Sequence, residues 1–287
     1  MKKAICIGIN NYPDPANQLN GCLNDAQDWS VLLTEFGFEV TKILDSEATK
    51  DNILNTFNNL VGEAGEGDVV VMTYSGHGTQ VLDTNNDEED FYDEALYVYD
   101  SEIVDDDLRE IIANVDNKAQ IVVIADSCFS GTVTKAAIPE NLKPRFVRSE
   151  SVPPTATLKK PFLSKVAGME MVEILLSGCN DKEYCYDAII NGKWNGAFTA
   201  YTIPLIQKDL TYNQLYTKIR EKLPSANYPQ TPQLEGSDEN KNLKVFTSAP
   251  VTTGNGGNNT QGGKCSLVLF SLLTFAFAVV ALLFWLF

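Results

Sequence analysis

Short apolar runs alternate with amphipathic stretches from the first residues onward. Runs at 3–9, 39–44, 68–74, 120–125 and 172–177 have the length and composition of buried strands. Between the first two, Ala26, Trp29, Leu32, Leu33 and Phe36 recur at helical spacing, and Gly37 follows as a stop. The same periodicity predicts helices over 50–61, 105–114, 196–207 and 212–223. Strands alternating with helices predict an α/β body around a mainly parallel sheet.

Three segments break this pattern. Residues 139–161 are rich in Pro and Ser and predict a long exposed loop. Residues 251–264, rich in Gly, Asn and Thr, read as a flexible linker. Cys265 to Phe287 contain no charged residue over 23 positions. As a helix they would reach ~34 Å, enough for the hydrocarbon layer of a bilayer. The expected organisation is a folded domain over 1–250, a linker over 251–264 and a transmembrane tail anchor over 265–287, with the domain and Lys264 on the cytoplasmic side.

Composition narrows the functions. The 38 acids against 22 bases give a net charge of −16, which argues against a nucleic-acid partner. Hydrophobic residues at 44% allow a real core. Cys6, Cys22, Cys128, Cys179, Cys185 and Cys265 form no CxxC pair, so a zinc ribbon or a disulfide-dense secreted module does not fit. Asn10, Asn11 and Pro13 end the first apolar run too early for a signal peptide.

Candidate chemistry sits at two strand ends. The run 69–74 leads into Ser75-Gly76-His77-Gly78, and the run 121–125 leads into Asp126-Ser127-Cys128-Phe129-Ser130-Gly131. Carboxyl ends of parallel strands face one crevice, so His77 and Cys128 can meet although 51 positions apart. An imidazole beside a thiol can take its proton and later hand one to a leaving amine. Flanking glycines let backbone N–H groups approach a developing oxyanion.

These two motifs resemble the His and Cys motifs of the metacaspases, caspase-like cysteine peptidases. Further blocks follow in family order: Ile7-Gly8-Ile9-Asn10-Asn11-Tyr12, residues 19–26, Tyr92-Asp93-Glu94-Ala95-Leu96, Val104 to Leu108, Leu176-Ser177-Gly178-Cys179 and Gly196-Ala197-Phe198-Thr199. The resemblance spans about residues 3 to 247. It implies a caspase-like sandwich with helices flanking the sheet, a nucleophile at Cys128, a general acid/base at His77, an oxyanion hole from the N–H groups of Gly78 and Cys128, and a monomer.

Caspases recognise a P1 aspartate, whereas metacaspases cleave after arginine or lysine. Asp126 stands two residues before Cys128, and Asp25 follows the first strand, so two carboxylates could share a pocket for a basic side chain. Asp25 also reads as a helix N-terminal residue favoured by the macrodipole. The resemblance places the S1 pocket at Cys22, Asp25, Ser75 and Asp126, with protein or peptide substrates of basic P1.

No Lys or Arg occurs between Lys50 and Arg109, while Asp83, Asp87, Glu88, Glu89, Asp90, Asp93 and Glu94 crowd into twelve positions. A solvated acidic loop and an oxygen-liganded hard cation both fit this density. The resemblance implies calcium ligands at Asp93, Asp105 and Asp106, but Lys135 stands where the family has a further carboxylate. Residues 135–165 carry seven Lys or Arg against two acids. They read as a basic loop over the acidic cleft with autocleavage near Lys143, Arg145 or Arg148, or as a surface loop with chance charge. The alternative to a calcium-stimulated endopeptidase is a weakly catalytic caspase-fold scaffold or calcium-binding module at a membrane.

Overall fold

The computed structural model describes residues 1–82, 92–113, 115, 119–129, 142–149, 171–180 and 183–248. The linker and tail anchor expected over 251–287 lie outside them. Among the described residues no helix is long and apolar enough to cross a membrane.

A six-stranded sheet forms the centre. Its strands are β1 (Lys2–Gly8), β2 (Glu39–Leu44), β3 (Val69–Ser75), β7 (Gln120–Asp126), β9 (Glu173–Ser177) and β12 (Gln233–Glu235), in the order β12-β9-β7-β3-β1-β2. Every pairing is parallel except that of β12 with β9 at the edge. The predicted mixed α/β body with its mainly parallel central sheet is present.

Alternation along the strands sends side chains to two cores. Ile5, Ile7, Val70, Met72, Ile121 and Val123 pack on one face, against Ile53 and Phe57 of α2 (Lys50–Glu63) and Leu108 of α3 (Asp105–Ala113). Ala4, Cys6, Val71, Val122 and Ile124 pack on the other, against Trp29 and Leu33 of α1 (Cys22–Glu35), Phe198 of α4 (Ala197–Thr202) and Leu215 of α5 (Tyr212–Arg220). Burial on both faces explains why these strands read as continuous apolar runs. Each fully buried Ile or Phe contributes about 1.5–3 kcal/mol.

The helix ends follow local chemistry. The Thr49 side chain caps α2, and Thr211 with Gln214 forms a capping box on α5. After α1, Gly37 turns the chain at φ +85. The helix expected over 196–207 stops as an α-helix at Thr202 and tightens to a 3-10 turn at Ile203–Leu205, where Pro204 lacks the N–H an α-helix needs.

Two small antiparallel sheets were not expected. β4 (His77–Leu82), β5 (Tyr92–Tyr97) and β6 (Glu102–Val104) form one. β8 (Leu142–Pro144), β10 (Tyr186–Ile190) and β11 (Lys193–Gly196) form the other, with Asn191 and Gly192 at positive φ in the β10–β11 turn. The strand β8 corrects the expectation of an exposed loop over 139–161. Residues 142–144 pair antiparallel with β10, and the following Arg145 is wholly buried. The remainder of that loop, 139–141 and 150–161, lies outside the described residues.

Candidate active site

Gly8, Ser75 and Asp126 stand level in register at the carboxyl ends of β1, β3 and β7. His77 begins β4 just beyond β3, and Cys128 lies two residues past β7. The sheet therefore delivers both expected reactive groups to one edge.

The segment 142–147 lies across this edge. β8 pairs with β10, and the Arg145 N–H donates to the Cys185 carbonyl at 3.0 Å. The Arg145 carbonyl accepts from the N–H groups of Gly78 at 3.0 Å and Cys128 at 3.1 Å. The Val147 N–H returns a bond to the Gly78 carbonyl at 3.0 Å. A peptide carbonyl held by two N–H donors, one belonging to the cysteine itself, has the polarisation that precedes thiol attack. A Cβ on Gly78 would collide with the Cys128 carbonyl, so this close approach requires glycine.

The Arg145 side chain fills a pocket of carboxylates. Its Nη2 donates to Asp25 Oδ2 at 2.6 Å and to Asp187 Oδ1 at 3.0 Å. Its Nη1 donates to the Asp126 carbonyl at 3.0 Å and lies 3.3 Å from Asp126 Oδ1. All four residues are buried, where an unpaired charge would cost several kcal/mol.

Each carboxylate is anchored by donors of its own. Asp25 accepts from Asn195 Nδ2 and the Gly196 N–H, Asp126 from the Thr199 N–H and hydroxyl, and Asp187 from the N–H groups of Asn20 and Gly21. Burial, with Asp126 adding to it and Arg145 opposing it, raises the Asp25 carboxyl to about 6. Cys22 opens α1 beside this group, its thiol pushed well above the ordinary value, first by burial. Ser75 is buried at the end of β3 but makes no hydrogen bond to the guanidinium.

Asp187 escaped the sequence reading. It lies on β10, which was not foreseen, and its signal was a lone acid in the otherwise uncharged run Tyr184 to Ile190.

His77 is buried and oriented from several sides. Its Nε2 is 2.8 Å from the Asn17 carbonyl, its N–H donates to the Tyr12 hydroxyl at 2.9 Å, and its carbonyl accepts from the Tyr74 hydroxyl at 2.7 Å. With Nε2–H donating to Asn17, Nδ1 carries the lone pair, and it is buried without a hydrogen-bond partner. Burial brings the imidazole down to about 4, against the support of the Asn17 carbonyl.

Cys128 has a different balance. Burial pushes its thiol up, but hydrogen bonds from the Cys179 and Cys185 side chains and the Cys185 N–H outweigh that and bring it down to about 5. At neutral pH Cys128 is a thiolate and His77 a neutral imidazole, a composition suited to acyl transfer.

The three expected autocleavage residues occupy different surroundings. Lys143 is half-buried with Nζ on the Gln18 carbonyl, Arg148 is exposed, and Arg145 alone of the three fills the carboxylate pocket.

The expected calcium ligands Asp93, Asp105 and Asp106 lie on β5 and at the start of α3. Asp105 is held by Arg109 Nη2 at 2.8 Å, and Asp106 lies 3.5 Å from Arg109 Nη1. Arg109 thus supplies positive charge to both carboxylates. Asp93 is buried on β5. Among the described residues, the group of three donors whose ligand atoms all lie within 4.8 Å of one another is Cys128, Cys179 and Cys185. Asp83, Asp87, Glu88, Glu89, Asp90 and Lys135 lie outside the described residues.

Comparison with known proteins places this geometry among relatives. A family model described as "Metacaspase, peptidase C14 domain" matches residues 2–137. Metacaspase-1A of Aspergillus oryzae is 32% identical in an alignment covering 82% of this chain and 68% of that protein. Metacaspase-1 of Scheffersomyces stipitis is 29% identical, covering 82% of this chain and 70% of its own. A crystal structure of a protein from Geobacter sulfurreducens is similar with a TM-score of 0.66 at 28% identity, over 87% of this chain and 99% of that one.

Proposed function

The chain belongs to the metacaspases and is a cysteine-type peptidase, and from that premise we propose that it cleaves after arginine or lysine and processes itself between Arg145 and Phe146. One observation carries this reading: the Arg145 guanidinium sits among three carboxylates while its carbonyl accepts from Gly78 and Cys128.

On this reading Cys128 is the nucleophile and attacks the Arg145 carbonyl carbon. The N–H groups of Gly78 and Cys128 stabilise the oxyanion. Cys128 is already a thiolate, so His77 Nδ1 takes up a proton from solvent as the intermediate forms and passes it to the departing Phe146 nitrogen. Water then hydrolyses the thioester. Asp25, Asp126 and Asp187 select a basic P1 because an acidic or neutral side chain would leave buried carboxylates uncompensated.

Calcium enters the proposal as a regulator only, with Asp93, Asp105 and Asp106 as the candidate ligands. Its binding would have to displace Arg109 from Asp105 and Asp106, and no catalytic step runs through it. Membrane anchoring through 265–287, a cytoplasmic orientation and a monomeric state complete the proposal, supported by the uncharged tail and the resemblance.

The test is intact-mass and terminal mapping of the full chain, with calcium and with chelator. The expected products end at Arg145 and begin at Phe146. They persist in Arg145→Lys and vanish in Arg145→Gln and Cys128→Ala. Cleavage surviving in Cys128→Ala, or occurring elsewhere while that bond stays intact, refutes the reading.

A further inference from the structure

Cys179 and Cys185 have no part in peptide cleavage as described, yet both stand against Cys128. Cys179 follows β9 by two residues, and Cys185 precedes β10. The Cys185 N–H donates to Cys128 Sγ at 2.7 Å, and Cys128 Sγ is 3.3 Å from the Cys185 carbonyl. The Sγ atoms of Cys179 and Cys185 are 2.8 Å apart, and both reach the Ser127 carbonyl, at 3.5 and 3.2 Å. All five cysteines among the described residues are free thiols and buried. Two further thiols within 4.8 Å of a nucleophile's sulfur exceed what thiol packing at a peptidase site requires.

We propose that Cys128 is a reversible oxidation site, with Cys185 as the thiol that resolves it and Cys179 as the thiol that restores it. The inference rests on Cys128 being the nucleophile, since a thiolate is also the form that peroxide attacks. Hydrogen peroxide transfers one oxygen to the Cys128 thiolate, and with one proton taken up the products are a sulfenic acid and water. The Cys185 thiol then attacks the Cys128 sulfur, forming a disulfide and releasing a second water. Two thiols have been oxidised and one peroxide reduced.

Cys179 completes the sequence by exchange. Its thiol attacks Cys185 Sγ, the sulfur 2.8 Å away, loses its proton to solvent and expels Cys128 as a thiolate. The leaving group is the most acidic of the three, because burial pushes Cys179 and Cys185 well above the ordinary value while Cys128 is held below it. The end state is a Cys179–Cys185 disulfide beside a free nucleophile, which a cellular dithiol can reduce. The seated segment adds a condition. Arg145 and Phe146 cover a Cys128 that is wholly buried, so the intact chain is shielded and the opened chain is exposed to peroxide.

Hydrogen peroxide is the probe and disulfide mapping by mass spectrometry the readout, on the full chain after processing and on uncleaved Arg145→Gln, which lacks the anchor of the segment. The readout does not depend on turnover, so failure of self-processing stays distinguishable from failure of this inference. The expected wild-type product is a Cys179–Cys185 disulfide with Cys128 as free thiol. Cys179→Ser should stop at a Cys128–Cys185 disulfide that dithiothreitol reverses. Cys185→Ser should carry Cys128 on to sulfinic acid about tenfold faster than wild type. Three results overturn the proposal: a Cys179–Cys185 disulfide forming equally fast in Cys128→Ser, equal sulfinic acid formation with and without Cys185, or no Cys128 oxidation in Arg145→Gln.

Discussion

Replacing Asp187 by Asn tests whether the third carboxylate recognises charge or merely shapes the pocket. The substitution keeps size and one acceptor oxygen and removes one buried charge 3.0 Å from the arginine Nη2. With charge centres ~4 Å apart and an effective dielectric of about 20, the attraction is about 4 kcal/mol. A neutral hydrogen bond returns about 1 kcal/mol of it. Asp25 and Asp126 still hold the other contacts, so the net loss is about 2–3 kcal/mol, or about 30- to 150-fold in kcat/KM. The assay is steady-state hydrolysis of a P1-Arg peptide by the processed full chain, since the variant also loosens the seated Arg145. One cost falls on folding. Asp187 accepts from the N–H groups of Asn20 and Gly21, and the amide satisfies only one of them. About 1 kcal/mol of stability should be lost, which lowers Tm by about 2–4 °C. A kcat/KM within about threefold of wild type, in protein melting in that range, refutes the assignment of Asp187 to P1 recognition.

Further outcomes follow from the same pocket. The rate of self-cleavage in the precursor should fall on the acid side with a midpoint of about 6. As pH drops through that value Asp25 takes up a proton and the pocket loses a negative charge, whereas Cys128 and His77, held down to about 5 and about 4, change protonation only below it. A single limb at about 5 or below in rapid-mixing pH jumps would remove Asp25 from the explanation. Gly196→Ala should abolish hydrolysis after arginine by about 100-fold or more with the circular dichroism unchanged. Its φ of −68 accepts alanine, but a Cβ there would meet Asp126 Oδ2 and the guanidinium. Wild-type kinetics in that variant would show that the P1 side chain binds elsewhere.

The parallel core was readable because burial on both faces makes β1, β3 and β7 unbroken apolar runs, and because His77 and Cys128 follow two of them directly. Asp126 was readable for the same reason, since it closes β7, and Asp25 because it sits in the first turn of α1, the helix that follows β1. The small sheets were less visible. β4 and β5 flank an acidic stretch whose charge density dominated the reading, and β10 and β11 are short, although Asn191-Gly192 is a strong hairpin signal that passed unused. Arg145 was read as basic and exposed, which is the usual state of an arginine in a Pro-rich loop. Its burial is dictated by Asp25, Asp126 and Asp187, three residues from three separate elements, and no local pattern around 145 encodes that meeting. The cluster of Cys128, Cys179 and Cys185 is hidden likewise, since spacings of 51 and 6 positions imply no contact until β7, β9 and β10 are placed side by side.

The pocket that would select substrates also explains why the chain holds its own segment. Three buried carboxylates against one guanidinium leave an excess of negative charge, and burial, with Asp126 adding to it, raises Asp25 to about 6 even with Arg145 in contact. Emptied, the same pocket would be worse off, so a tethered basic residue, present at an effective concentration in the mM range, outcompetes dilute substrate. Cleavage changes this balance at one atom. The neutral carbonyl that accepts from Gly78 and Cys128 becomes a carboxylate beside a thiol held down to about 5, and like charges in a buried site repel. What then retains Arg145 is its guanidinium, its N–H bond to the Cys185 carbonyl and the three-residue pairing of β8 with β10. On the proposed reading the cut therefore weakens the same contacts that positioned the bond for cutting, and release of the segment needs no movement of the central sheet.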